Sequence, residues 1–239
     1  MAYINFGSRV LERGVSGTDV EILQYLLNNL PRTISSSISE GGFGPQTEAS
    51  VRKFQEYFGL TADGIVGPVT FLFLGQPTDP YLPADAMVFG SRTLSRGSSG
   101  RDVWVLQNRL ASTAKKYAQA LGRPADGQFG TRTRAAVRLF QQDRGLTQDG
   151  VVGPQTLVEV FRHTHMGGRY LQRNRFERNQ GYDVYFLQVH LRELGFSSGA
   201  TDGKFGPATQ AAVRSLQRSA GIRADGLVGP QTYYHLAYS

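Results

Sequence analysis

The side chains able to do chemistry are few and scattered. His163 and His165 form an H-x-H that can in principle ligate a metal, but they sit where two similar segments join and have no obvious third ligand. His190 and His235 stand singly within helical stretches, so no metal site and no cofactor is expected. Cysteine is absent, which removes thiolate nucleophiles, cysteine zinc sites and disulfides together. No H-E-x-x-H helix occurs, and the carboxylates fall mostly in turns, where capping explains them better than acid-base work. No unassigned block is long enough to house a catalytic fold, so the chain reads as a binding protein rather than an enzyme.

Charge points to the kind of partner. All but four of the 26 basic residues are arginine and the formal charge is +7. Guanidinium groups favour bidentate contact with carboxylate and phosphate, which suits an acidic polymer. No recognised nucleic-acid module or dense basic helix is found, which sets nucleic acid aside. No apolar run is long enough to span a bilayer, and Met1 to Val10 lacks the basic stretch and apolar core of a secretory signal.

The elements that must position these groups are repeated. Three segments open alike, with Phe6-Gly7-Ser8-Arg9 and Leu11, Phe89-Gly90-Ser91-Arg92 and Leu94, and Met166-Gly167-Gly168-Arg169 and Leu171. Each then enters a stretch with apolar residues three and four apart: Val20, Leu23, Leu27, Leu30 in the first, Val103, Leu106, Leu110 in the second, Val184, Leu187, Leu191, Leu194 in the third. That spacing predicts an amphipathic helix with one buried stripe. Gln24, Gln107 and Gln188 follow the first Leu and are expected to brace the fold.

A glycine corner follows: Glu40-Gly41-Gly42-Phe43-Gly44-Pro45-Gln46-Thr47, Asp126-Gly127-Gln128-Phe129-Gly130-Thr131-Arg132-Thr133, and Asp202-Gly203-Lys204-Phe205-Gly206-Pro207-Ala208-Thr209. The next helices carry Val51 and Phe54, Val137 and Phe140, Val213 and Leu216. The corner then recurs from Asp63-Gly64 through Gly67-Pro68 to Thr70, from Asp149-Gly150 through Gly153-Pro154 to Thr156, and from Asp225-Gly226 through Gly229-Pro230 to Thr232. Asp-Gly supplies an Asx-type bond and a residue free to take positive φ. The second Gly suits an N-cap, and Pro suits the first helical position, filled by Pro in five of six copies. Thr, two residues further on, is expected to return a bond to the cap backbone.

Together, the Gly-rich entry, the Leu-Gln helix, the D-G-x-F-G-P-x-T corner, the V-x-x-F-Q helix and the closing D-G-x-V-G-P-x-T corner resemble the peptidoglycan-binding domain family attached to many bacterial wall hydrolases. The resemblance covers residues 6–75, 89–161 and 166–239. It implies an all-α fold of three tandem three-helix modules, each of a kind that anchors an enzyme to peptidoglycan. The expected division is module 1 at 1–75, a Pro-rich linker at 76–88, module 2 at 89–161, and a short junction with module 3 at 162–239, each module enclosing its own core. Departures mark specialised faces: Glu40 for Asp and a polar stretch at Thr33 to Ser39 in the first copy, Thr131 for Pro and a helical insertion near Ala114 to Leu121 in the second, and charged residues between Leu171 and Gly181, including Arg173, Arg175, Glu177 and Arg178, in the third.

The expected function is non-catalytic binding of cell-wall or spore peptidoglycan, or another acidic wall polymer, at the cell or spore envelope or extracellular surface. Contact is expected beside the corners, through Arg52, Arg138 and Arg214 of the second helices and Arg9, Arg92 and Arg169 of the entry motifs. A second reading stays open, in which the ordered modules form a homo-oligomer, filament, surface layer or spore coat.

Overall fold

The computed structural model describes residues 3–39, 41–76, 87–173 and 180–237. Module 1 contributes α1 (Thr18–Asn28), α2 (Pro45–Tyr57) and α3 (Pro68–Phe73); module 2 contributes α4 (Arg101–Thr113), α5 (Lys115–Leu121), α6 (Thr131–Asp143) and α7 (Pro154–His163); module 3 contributes α8 (Tyr182–Glu193), α9 (Pro207–Ser219) and α10 (Pro230–Leu236). Extended pairing among the described residues is limited to isolated bridges. No described helix is long and apolar enough to cross a membrane. Pro77, Pro80 and Pro83 of the linker, Glu40, and Arg175, Glu177 and Arg178 lie outside the described residues.

The first and second helix of each module arise where the apolar spacing predicts them, and the stripe Val20, Leu23, Leu27, Leu30 is buried. The corners then turn one apolar residue inward: Val66, Val152 and Val228 are fully buried. Each pairs with the entry leucine of its own module in an antiparallel bridge, Leu11 with Val66, Leu94 with Val152, Leu171 with Val228. In module 1 the Leu11 N–H donates to the Val66 carbonyl at 3.1 Å and the Val66 N–H returns a bond at 2.8 Å. The entry of every module is therefore fastened to its second corner, just before the last helix starts.

The expectation of three separate cores does not hold. Apolar residues of modules 1 and 2 form one continuous cluster that also takes in Tyr182 of module 3, while the rest of module 3 encloses its own. Phe6 meets Phe161 across the border edge-on, with centroids 5.5 Å apart, and the chain of rings continues through Phe71 and Phe89. Each such pair adds about 0.5–1.5 kcal/mol beyond the area it buries. The physical reason is size: a module of roughly 70 residues buries only part of its apolar surface alone and gains by sharing its rim with a neighbour.

Module 3 touches both of the others. The Tyr57 hydroxyl donates to the Asp202 carbonyl at 3.0 Å and Gln180 Nε2 donates to the Phe58 carbonyl at 3.3 Å, joining modules 1 and 3. Arg101 donates to the Gly168 carbonyl, and Trp104 packs on Tyr170, joining modules 2 and 3. Where the three meet stands Arg109, only 5% exposed. Its Nη1 donates to the Thr164 carbonyl at 2.8 Å, and its Nη2 to Gln76 Oε1 at 3.1 Å and the Gly75 carbonyl at 3.3 Å. Burial lowers its pKa to about 10, against the pull of Asp183, so it remains a cation at neutral pH.

Replacing Arg109 with Leu orphans the buried carbonyls of Thr164 and Gly75, each at roughly 1–3 kcal/mol. The expected outcome is a loss of about 3 kcal/mol in urea unfolding. An unchanged urea midpoint would show that this hub contributes nothing to docking.

Candidate ligand-binding groove

The corners owe their shape to a glutamine on the helix before them. In module 2, Gln141 Nε2 lies 2.7 Å from Asp149 Oδ1, 2.9 Å from the Val151 carbonyl and 3.2 Å from Thr156 Oγ1, while its Oε1 accepts the Gly150 N–H at 2.9 Å. Asp149 Oδ1 also accepts the Val151 N–H, closing the expected Asx turn, and Gly150 takes the expected positive φ of 73°. The Val151 N–H and the Gln141 amide hold the Asp149 carboxyl below the usual carboxylate range. The same arrangement recurs with Gln55 around Asp63 and Thr70, Gln107 around Asp126 and Thr133, Gln188 around Asp202 and Thr209, and Gln217 around Asp225 and Thr232. Gln24 bonds the Gly42 carbonyl and Thr47 in the first corner.

Thr therefore plays a different part from the one expected. Its hydroxyl accepts from the glutamine and donates to a backbone carbonyl, five residues back as Thr156 does to Val151 at 3.3 Å, or, for Thr209, that of Ser198. Among the described residues, α3, α6, α7, α9 and α10 start with no side-chain bond at their caps. The helix starts rest on Gly44, Gly67, Gly130, Gly153, Gly206 and Gly229 in extended conformation, with Pro first in all but α6.

The entry arginines are engaged within the fold. Arg9, Arg92 and Arg169 each hold a buried carboxylate at 2.7 Å, on Asp19, Asp102 and Asp183 respectively. Each also donates to a backbone carbonyl, of Ser16, Ser99 or Gln180. The buried Asp in the first turn of α1, α4 and α8 draws the guanidinium inward, and the Arg169 side chain is only 4% exposed. These residues brace the helix starts.

Arg52, Arg138 and Arg214 lie beside Gly64, Gly150 and Gly226 of the second corners. Arg52 is tied to Glu48 at 2.9 Å and to the Ala62 carbonyl, whereas Arg138 and Arg214 are exposed. Next to the second corner of module 2 runs a groove of about 500 Å³, walled on one side by Tyr3 and Thr18 of module 1 and on the other by Leu146, Asp149, Pro154 and Val158. Burial raises the Tyr3 pKa, keeping a neutral hydroxyl at its edge. In module 3 the matching corner borders a smaller hollow of about 180 Å³ between Ile222, Asp225 and Pro230. Sequence reasoning places contact beside the corners but misses the seam, because nothing in the local pattern brings Tyr3 to α7.

The histidines are engaged within the fold. His163 Nε2 lies 3.1 Å from Glu159, and its other ring nitrogen lies 3.5 Å from the Tyr25 hydroxyl. His165 meets the Tyr182 hydroxyl at 2.9 Å and stacks on Phe186. Among the described residues no three His, Cys, Asp or Glu side chains gather as a metal site would require.

Burial lowers the His165 pKa from 6.5 to about 4. The unfolded chain therefore binds the extra proton first, and stability present above pH 6.5 is lost as the pH falls towards 4. The urea midpoint is expected to drop over that interval, and to drop less in His165→Gln; equal slopes would contradict a buried neutral imidazole.

Comparison with known proteins matches three segments, residues 16–74, 99–159 and 180–236, to the family described as "Putative peptidoglycan binding domain". The chain is 40% identical over 111 residues to the N-acetylmuramoyl-L-alanine amidase CwlM of Mycobacterium tuberculosis, covering 46% of this chain and 27% of that protein. It is 30% identical over 160 residues to a probable N-acetylmuramoyl-L-alanine amidase of Bacillus licheniformis, covering 64% and 44%. It is 41% identical over 76 residues to a spore cortex-lytic enzyme of Bacillus cereus, covering 32% and 27%. The chain thus spans less than half the length of these relatives. They also correct the expectation that no enzyme is involved: all three bear enzyme names, and the lack of a nucleophile or zinc motif within these modules says nothing of the proteins that carry such modules.

Proposed function

Because the chain belongs to the peptidoglycan-binding domain family, we propose that it holds peptidoglycan of the cell wall or spore envelope in the grooves beside its second corners, one of them shared by modules 1 and 2. The observation that carries this reading is the groove of about 500 Å³ at that seam. Its lining mixes apolar Leu146, Val151, Pro154 and Val158 with polar Asp149, Gln155 and Thr156, a combination suited to a strand of amino sugars and short peptides. Arg138 and Arg214 are exposed beside their corners, and the reading takes them, with Arg52 as the third member of the set, as the groups that meet stem-peptide carboxylates. The enzyme names among the relatives support a role in which such modules keep an activity at the wall.

Val158→Trp fills the groove from a half-buried position on α7. Sedimentation with purified sacculi is expected to show retention weakened about tenfold, equivalent to about 1.4 kcal/mol, while circular dichroism stays unchanged. The triple replacement of Arg52, Arg138 and Arg214 by Ala is expected to weaken retention further at low salt. Full retention by both variants would remove the groove and the arginines from the binding site.

A further inference from the structure

Module 3 is joined to the others differently from the way modules 1 and 2 are joined to each other. Apart from Tyr182, its buried apolar residues close a core of their own around Leu171, Leu187, Val213 and Tyr233. The contacts that hold it in place include the hydrogen bonds of Tyr57, Gln180 and Arg101 and the packing of Trp104 on Tyr170. A unit with its own core keeps its fold when such contacts part.

The side of α4 that meets module 3 also carries unmet polar groups. The Gly167 backbone lies so close to α4 that a Cβ there would stand 2.6 Å from the Arg109 nitrogen and 2.9 Å from Asn108 Cβ. Beside that contact Asn108 is fully buried, and neither its Oδ1 nor its Nδ2 has a partner among the described residues; nor has Arg109 Nε. A buried amide left unpaired bears its whole desolvation cost, which parting the two surfaces relieves.

His165 stands at the same seam. Its ring stacks on Phe186 with centroids 4.2 Å apart and meets the Tyr182 hydroxyl, so it belongs with module 3. Facing it are Arg109 from α4, His163 from α7 and the Tyr182 hydroxyl from α8. The carboxylates of those three helices are engaged: Asp102 with Arg92, Glu159 with Arg162 and His163, Asp183 with Arg169, and Glu193 with His190. A proton on His165 therefore places a second cation beside buried Arg109 with no free carboxylate on these helices to balance it.

We propose that module 3 is a detachable unit, released still folded from modules 1 and 2 when His165 takes up a proton. Release lets water reach both the new cation and the Asn108 amide. Burial first, and Arg109 second, hold the docked imidazole's pKa at about 4, whereas the released one returns to 6.5. The released form therefore binds the proton first, and the docking constant is expected to fall about tenfold per pH unit between 6.5 and 4. The seam groove is lined by modules 1 and 2, so it does not depend on where module 3 lies.

Trp104, the one tryptophan of the chain, reports the event, because its ring packs on Tyr170 of module 3 at 5.3 Å. Its fluorescence is expected to shift to the red between pH 6.5 and 4, and the radius of gyration from small-angle scattering to grow, while far-UV circular dichroism holds steady. His165→Gln is expected to lose that pH step. Emission and helicity lost together at one midpoint, or emission and radius unchanged down to pH 4, overturns the proposal, and so does a step that persists unaltered in His165→Gln.

Discussion

One side-chain amide, that of a buried glutamine, governs the architecture. A glycine corner is irregular backbone, and it can sit against a core only if its polar groups find partners. Glutamine supplies a carbonyl for the corner N–H and an amino group for the Asp, the backbone carbonyl and the Thr, all at once. Glu would bring a charge and no donor, and Leu would leave the Gly150 N–H without its acceptor. Once the corner is held, Val66, Val152 and Val228 point inward, the bridges to Leu11, Leu94 and Leu171 close, and the following helix starts in a fixed direction.

Much of this was legible in the residues because it is local. Helix faces follow from three- and four-residue spacing, Pro marks the first helical position, and Asp-Gly announces the Asx turn. The helix near Ala114 to Leu121 appears as Lys115–Leu121. What was not legible depends on partners distant in sequence. Thr looks like a capping residue until Gln141 is seen 15 positions away. Arg9, Arg92 and Arg169 carry no local sign of the buried aspartates they hold in the first turn of the next helix.

The seams were the least readable part. Phe6 and Phe161 look like ordinary members of their own modules, and nothing in either neighbourhood says that the two rings meet. Arg109 gave one usable sign: it occupies the position of Leu26 in the first copy, on the buried side of its helix. A cation in an apolar stripe calls for acceptors from elsewhere, and the structure supplies them from the end of module 1 and the junction after module 2. The enzyme question was misjudged for a related reason, since a binding module carries no imprint of the catalytic unit it accompanies in other proteins.

Sharing a core across the first border has a consequence for multivalent attachment. Flexibly tethered modules search independently, and each captures whatever strand lies within its tether. On the reading proposed above, the surfaces either side of that border are held in one register by the shared core, so a bound strand meets both as a single template. A strand fitting both sides then gains avidity with no tether entropy to lose, whereas one fitting a single side is held there alone.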